Sequence, residues 1–591
     1  MKPKLLLIHI SFLFLFVSGI RSGYCRDIYV DPTFGNNISG DGSINNPYKT
    51  LRKSGEVAVG GDFILIKGEY HSGFKDTFIR INNGNTQMIT IMPQNNLNVI
   101  LDGTGANFIA SWEAILTITN SKYVEVRNIE VMNNDSSSGI RVVSDSFETR
   151  FVNIRNCKTS NTRTQGILIQ ASDVIVDNCE INNACLINKN QRLGFSGWPP
   201  ALTTYVDLSH PTMDLCRNIV FSNNIVSNSW GEGIAFIRTK GFEANNNIVR
   251  DCFSAYIYSD NSRNGVIRNN WVYSTSDTFN IQYENGIRTP AVGIYWAAEG
   301  NDYMLDSIVE NIEIYNNLIV RTGPAFGWFD DTRNLYPNDS YRNIHIYYNT
   351  VFNTLGYQSF YIDDSNINPN RIPPSGCKFI NNIICKAKYP FIINPVYNSY
   401  FTNSSDYETS WEIRNNSFIH GFPLGNYNLN NIQGNPLFLD SNNIINSSSN
   451  YKILSNSNCI NAGETIFGIN ADYFNYPRPA TPTIGFYEYD PFTGINMDPS
   501  NQALRSFSLN QNYPNPFNPS TTIEFNIPVR SFISLSIYDI TGKKVEEIVN
   551  EYLNAGSYNY FFNANELSSG VYFYKLNSNS FSETKLMTFL K

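Results

Sequence analysis

The chain has 591 residues, enough for several ordinary domains, and a formal net charge of −8 with no run of lysine or arginine. That balance argues against nucleic acid or an anionic membrane as a partner. Charged residues make up only 16% and aromatic residues 14%, so the polar surface is drawn largely from Asn, Ser and Thr, which suits a neutral, hydroxyl-rich ligand.

Met1-Lys2-Pro3-Lys4 precedes an apolar run from Leu5 to Ile20, with small residues at Ser18, Gly19, Ser22 and Gly23. This reads as a secretory signal peptide over residues 1–24. Tyr24 directly before Cys25 is too large for a lipoprotein signal. No later apolar run approaches a membrane-spanning length, so no transmembrane anchor is expected. Asp27-Ile28-Tyr29-Val30, a Gly/Asn/Asp loop, Asn46-Pro47-Tyr48-Lys49-Thr50-Leu51 and Phe63-Ile64-Leu65-Ile66 follow. They predict a strand and a short helix that cover one end of a solenoid, whose core and strand edges would otherwise be exposed.

From Asn128 onward one motif recurs. Its clearest copies are Phe221-Ser222-Asn223-Asn224-Ile225-Val226, Ala244-Asn245-Asn246-Asn247-Ile248-Val249, Ile267-Arg268-Asn269-Asn270-Trp271-Val272, Ile314-Tyr315-Asn316-Asn317-Leu318-Ile319 and Phe379-Ile380-Asn381-Asn382-Ile383-Ile384; weaker ones centre on Asn128, Asn156, Asn178, Asn349 and Asn416. Counting between the last Asn of each copy gives steps of 28, 22, 46, 23, 23, 47, 32, 33 and 34 residues, which is the signature of a solenoid with inserts. Apolar and polar residues alternate before each Asn, the period of a strand. Asn tolerates the left-handed backbone of a sharp bend, and its amide can bond to its stacked twin.

One strand and one Asn bend per repeat resembles the right-handed parallel β-helix, pectate-lyase-like superfamily of secreted polysaccharide lyases and glycoside hydrolases. The resemblance covers residues 25–490, with caps at both ends, and implies fold rather than reaction. Gly434-Asn435-Pro436-Leu437-Phe438, Pro477-Arg478-Pro479 and Ile484-Gly485-Phe486-Tyr487 resemble the closing segment of such proteins, expected to cap the C-terminal end. Cys157 and Cys179, each one residue after an Asn, read as inward core thiols; Cys377 with Cys385, or Cys185 with Cys216, could pair.

After a linker at 491–504, residues 505–591 change character. About seven short alternating strands argue for a small β-sandwich. Leu509-Asn510-Gln511-Asn512-Tyr513-Pro514-Asn515-Pro516-Phe517-Asn518-Pro519, Tyr538-Asp539-Ile540-Thr541-Gly542-Lys543, Ser569-Gly570-Val571-Tyr572-Phe573 and the terminal Lys585-Leu586-Met587-Thr588-Phe589 resemble a type A C-terminal sorting domain of the type IX secretion system. That resemblance implies handling by the type IX machinery and a location outside, or on the outer-membrane surface of, a Bacteroidetes-like bacterium. The alternative is an immunoglobulin-like adhesion or sugar-binding module. The expected fold is therefore all-β, a right-handed parallel β-helix followed by a small immunoglobulin-like β-sandwich, and a monomer.

Each repeat also predicts a second strand about ten residues after its Asn. If Ile257, Ile294, Gly327 and Phe360 point inward, alternation turns Tyr258, Tyr295, Trp328 and Tyr361 outward in one column, with Asp260, Ala297, Asp330 and Asp363 in a second. Aromatic faces stack on sugars, and carboxylates bond hydroxyls or transfer protons. Coils stack about 4.8 Å apart, so Asp330 and Asp363 would lie roughly 5 Å apart and Asp260 and Asp330 roughly 10 Å, spacings that leave retaining and inverting hydrolysis both open.

Glu299 and Glu232 could join these acids, and Arg238 could hold a substrate carboxylate. Inserts at 298–311, 331–342 and 364–376, with others at 185–215 and 277–290, would wall a cleft. The insert at 185–215 carries Phe195, Trp198, Tyr205, Asp207 and His210; Trp198 is a further candidate for substrate contact, and His210 in a Ser-His-Pro turn reads as structural. Asp331 and Asp364 sit in good turn sequences.

The expected function is a secreted, carbohydrate-active, polysaccharide-degrading glycoside hydrolase. The alternatives are a lyase of the same fold and a non-catalytic glycan-binding surface protein. The residues single out no definite cofactor, and stacked acids also admit Ca2+. The lyases of the superfamily use calcium or a basic residue with an Arg or Lys base, and the acidic columns are poor in basic residues apart from Arg238, with Arg333 and Arg371 in loops.

Overall fold

A computed structural model describes residues 25–591, apart from 82–83, 97, 111–112, 190–198, 207–214, 277–280, 283–287, 290, 300–308, 331–339, 356–358, 363–373, 387–391, 394–410, 420–429, 441–446, 490–507, 528–530, 554–555, 565–566 and 579–580. One coil shows the plan. Thr239–Asn245 runs into the Asn246-Asn247 corner, Ile248–Cys252 follows on a second side, Ala255–Asp260 on a third, and Arg263–Arg268 returns to stack on the first strand. Repetition builds three parallel sheets of 13, 11 and 13 strands, and the result is a parallel β-helix. The 11-stranded sheet carries the second strand of each repeat, and its outward face is where the sequence places the candidate site.

The corners explain the Asn motif, and they hold two positions rather than one. The first Asn adopts a left-handed backbone, as at Asn223 (φ 57°), Asn246 (54°), Asn269 (55°) and Asn316 (55°). The second points inward and joins a buried ladder: Asn224, Asn247, Asn270, Asn317, Asn349 and Asn382 each pass a backbone N–H and an Nδ2–H to the Oδ1 of the next. Buried amides are tolerated only when paired in this way.

Alignment on the last Asn is therefore one residue out for the early coils. Asn128, Asn156 and Asn178 are corner residues with φ of 58°, 51° and 52°. Cys179 stands where Asn224 stands in the next coil, because Glu180 pairs with Ile225 and the Cys179 N–H reaches Asn224 Oδ1 at 2.9 Å. Cys157 and Cys179 are buried, in the ladder's inward row rather than in the outward row of Ile225. The eight buried cysteines are free thiols in this structure, so neither Cys377 with Cys385 nor Cys185 with Cys216 is paired.

At the N-terminal end, Thr50 Oγ1 accepts the Lys53 N–H to start the helix Leu51–Val57, and buried Leu51 is anchored by its N–H to Asp76 Oδ2 at 2.6 Å. The closing segment was expected over the C-terminal end; instead it lies along a flank. Phe438, Tyr451, Ile453, Ile484 and Phe486 cover outward residues of the third sheet, among them Trp271, Tyr273, Leu318, Val320 and Phe352. Arg478 fastens it, donating to Glu488 Oε2 (3.1 Å) and Asn316 Oδ1 (2.9 Å) with its guanidinium 3.8 Å from the Tyr348 ring centroid. Tyr348 takes the left-handed corner position (φ 52°) that Asn fills in neighbouring coils.

Residues 508–589 form a separate β-sandwich. Ser508–Leu509, Ser520–Ile527 and Gly556–Asn563 make one antiparallel sheet, and Ser531–Asp539, Lys544–Leu553, Gly570–Asn577 and Ser582–Phe589 the other. Its core, including Phe525, Leu535, Tyr574 and Met587, is its own.

Candidate active site

Register decides which side chains meet on the outward face. Ile257 pairs with Ile294, Ile294 with Phe326 and Phe326 with Phe360, so the inward row contains Phe326 and not Gly327. The next row is Tyr258, Tyr295, Gly327 and Tyr361, and the one after it is Ser259, Trp296, Trp328 and Ile362. Trp328 therefore points inward, where it is fully buried and packs 4.7 Å from Tyr341, beside Trp296 and Trp411. It is a core residue, not a sugar platform. A one-residue slip reverses the face of every side chain in a strand, and Phe-Gly-Trp-Phe-Asp alternates equally well in either register.

The same slip breaks the acidic column. The row of Asp260 continues through Ala297 to Phe329, while Asp330 pairs with Ala298 one position on. Phe329 replaces Trp328 as the third outward aromatic: Tyr258 and Tyr295 have ring centroids 6.0 Å apart, and Tyr295 and Phe329 6.2 Å. Matching Trp296 to Trp328 in the sequence would have revealed this. The backbones of Asp330 and Tyr361 are placed as above, whereas Trp198, His210, Asp331, Arg333, Asp363, Asp364 and Arg371 lie outside the described residues.

Three other candidates do come together. Asp260 ends the strand Ala255–Asp260, Glu299 directly follows the strand Val292–Ala298 in the next coil, and Glu232 precedes Ile234–Ile237 in the coil before. Tyr258 donates its hydroxyl hydrogen to Glu299 Oε1 at 2.5 Å. The Glu299 N–H donates to Asp260 Oδ1 at 2.9 Å, and Asn261 Nδ2 donates both to Asp260 Oδ1 (2.9 Å) and to the Glu299 carbonyl (2.7 Å). Asn261, in a left-handed turn with φ 47°, is the residue that sequence reasoning missed.

These outward groups are nonetheless enclosed: Glu232 and Asp260 are each 6% exposed and Tyr258 5%. Burial, followed by the nearby Glu299 and Asp260 charges, pushes Glu232 well above the usual carboxylate range. Burial and Glu299 do the same to Asp260, against the opposing Glu299 N–H, Arg238 and Asn261. Tyr258 is raised by burial and by the three acids. These shifts all favour the protonated form, the form from which general acid chemistry starts.

Arg238 does not reach out to a substrate. It is 3% exposed, has a left-handed backbone (φ 49°), and donates from Nη1 to the Val206 carbonyl at 3.0 Å. Its charge acts on Asp260. Among the described residues, no three or more His, Cys, Asp or Glu side chains are grouped to hold a metal ion.

Residues 511–588 match the family described as "Secretion system C-terminal sorting domain". A type IX sorting domain is present. It indicates secretion to the cell surface or extracellular space, as in Bacteroidetes, and handling by the secretion machinery. No helix among the described residues is long and apolar enough to cross a membrane.

No curated protein matches the chain. Among solved structures, the complex of XylC with xylose is similar at a TM-score of 0.50, with 11% identity over 78% of this chain and 98% of that one. A GH136 lacto-N-biosidase from Eubacterium ramulus is similar at 0.44, with 12% identity over 63% of this chain and 66% of that one. Pectate lyase Pel9A is similar at 0.44, with 17% identity over 79% and 96%. At these identities the likeness is one of fold.

Proposed function

We propose that this protein is a secreted glycoside hydrolase that cleaves a polysaccharide at the Glu232/Asp260/Glu299 cluster, with Tyr295 and Phe329 forming apolar contacts beside it. The observation that carries the reading is that Asp260 and Glu299, from adjacent coils, are joined through the Glu299 N–H and Asn261, with almost wholly buried Glu232 of the preceding coil close enough for both charges to act on it. Hydrolysis of a glycosidic bond needs one carboxyl that keeps a proton and one that is ionised. Unequal hydrogen bonding within the cluster supplies a basis for that difference.

Hydrolysis is favoured over β-elimination by the state of Arg238. A lyase must neutralise a uronate carboxylate, and among the described residues the basic side chain acting on Asp260, Arg238, is buried and bonded to Val206. The test is a panel of neutral and uronate-containing polysaccharides incubated with the protein, read for reducing ends and for ultraviolet absorbance. Reducing ends without absorbance support hydrolysis. An absorbing unsaturated product would make the protein a lyase, and binding without any product would make it a glycan-binding protein.

A further inference from the structure

We propose that Glu232 is the residue that protonates the departing glycosidic oxygen; the assignment rests on the hydrolase reading above. The three carboxyl groups differ in what stabilises their anions. Asp260 Oδ1 accepts two N–H bonds, and Glu299 Oε1 accepts the Tyr258 hydroxyl. Donated hydrogen bonds favour the ionised form. Among the described residues the Glu232 side chain has no hydrogen-bond donor, although it is only 6% exposed. The groups whose charge acts on it or feels it are Tyr258, Asp260 and Glu299 and the thiols of Cys185 and Cys252. Nothing in that set is a cation, so of the three carboxyl groups Glu232 has the least to stabilise its anion.

The backbone around Glu232 has little freedom, as a proton donor of fixed position requires. A Cβ at Gly231 would lie 2.0 Å from the Pro199 carbonyl oxygen, and one at Gly233 would lie 2.4 Å from that of Tyr256. The glycines on both sides are thus pressed against neighbouring coils. The Glu232 carbonyl is also fixed, accepting from Ala201 N–H and Ser229 Oγ–H, both at 2.9 Å.

In the step proposed, the Glu232 proton bonds to the glycosidic oxygen as the bond from that oxygen to the anomeric carbon breaks, and the bonding electron pair stays on the oxygen. Over the whole reaction one water is consumed: its hydroxyl goes to the anomeric carbon and its remaining proton to a carboxylate of the cluster.

A leaving group that departs without protonation separates this role from a structural one. Glu232→Gln would be assayed on the polysaccharide and on a nitrophenyl glycoside of the sugar that the wild-type protein releases, with thermal unfolding followed in parallel. The expected result is a fall in kcat/KM of about 1,000-fold on the polysaccharide, a fall of under about 10-fold on the nitrophenyl glycoside, and loss of the alkaline limb of the pH profile. If Glu232→Gln does not fold, Glu232→Asp should show the same ordering in weaker form. Equal losses on both substrates, or no loss on either, would overturn the assignment while leaving the hydrolase reading intact. A wild-type protein that hydrolyses no glycan or glycoside would remove that reading instead.

Discussion

Tyr258 donates its hydroxyl hydrogen to Glu299 Oε1 across 2.5 Å, joining adjacent coils of the β-helix. Tyr258 is almost wholly buried, so its ring is no free platform for a sugar, and its polar end orients a carboxylate. Tyr258→Phe should therefore lower kcat more than it raises KM. A hydrogen bond to a charged group contributes about 1.5–3 kcal/mol, a loss of about 10- to 100-fold. Steady-state kinetics on the cleaved glycan checks this; a change confined to KM would return Tyr258 to a binding role.

Trp328 and Tyr295 should respond in opposite ways. Removing the Trp328 indole from the core, as in Trp328→Ala, should cost about 3–5 kcal/mol. Tyr295 is partly exposed on the outward face, so Tyr295→Ala should cost less stability and weaken glycan binding instead. Chemical denaturation and glycan affinity measured on both variants test the register directly.

These two residues also show how far the sequence could be read. The repeat of Asn corners was legible from Asn128 to Asn416 because bend and ladder both favour Asn, while Cys157 and Cys179 in the ladder row and Tyr348 at a bend hid which of the two positions each early or variant coil had kept. The sandwich strands and sorting motifs were equally plain. The rows of the second strand were not. Phe326, Gly327, Trp328 and Phe329 offer no polar residue to mark the solvent side, and the choice of inward Gly327 turned Trp328 outward and aligned Asp330 with Asp260. Glu232, Asp260 and Glu299 were each named as candidates, but their meeting depends on where strands begin and end, which alternation does not reveal. Arg238 was legible as a charge, while its bond to Val206 crosses 32 residues of chain.

The Asn ladder should be a large part of the scaffold's stability. Asn270 Oδ1 accepts from both the backbone and side chain of Asn247, and its own Nδ2 donates to Asn317 Oδ1 and the Ala244 carbonyl. Asn270→Ala would leave several buried groups unpaired and should destabilise the β-helix by about 3 kcal/mol or more. Equilibrium unfolding followed by an intrinsic fluorescence signal would measure it.

The buried acids also set a pH dependence of stability. In the unfolded chain Glu232 and Asp260 lose their protons near pH 4, while in the folded protein both hold them to higher pH. Between these limits the folded state binds more protons, so stability falls as pH rises. Asp76 and Asp472, each pushed up to about 6, act with the same sign up to that pH. Glu232→Gln should be more stable than wild type at pH 8, with the gap closing towards pH 4. A gap that does not change with pH would show that Glu232 does not carry the shift.

The most direct test of the carboxyl cluster compares Asp260→Asn and Glu299→Gln with wild type on a polysaccharide from which the wild-type protein releases reducing ends. Each variant should lose at least about 100-fold in kcat/KM while unfolding at or above the wild-type temperature. Full activity in both folded variants would contradict the account and place the chemistry elsewhere on the β-helix.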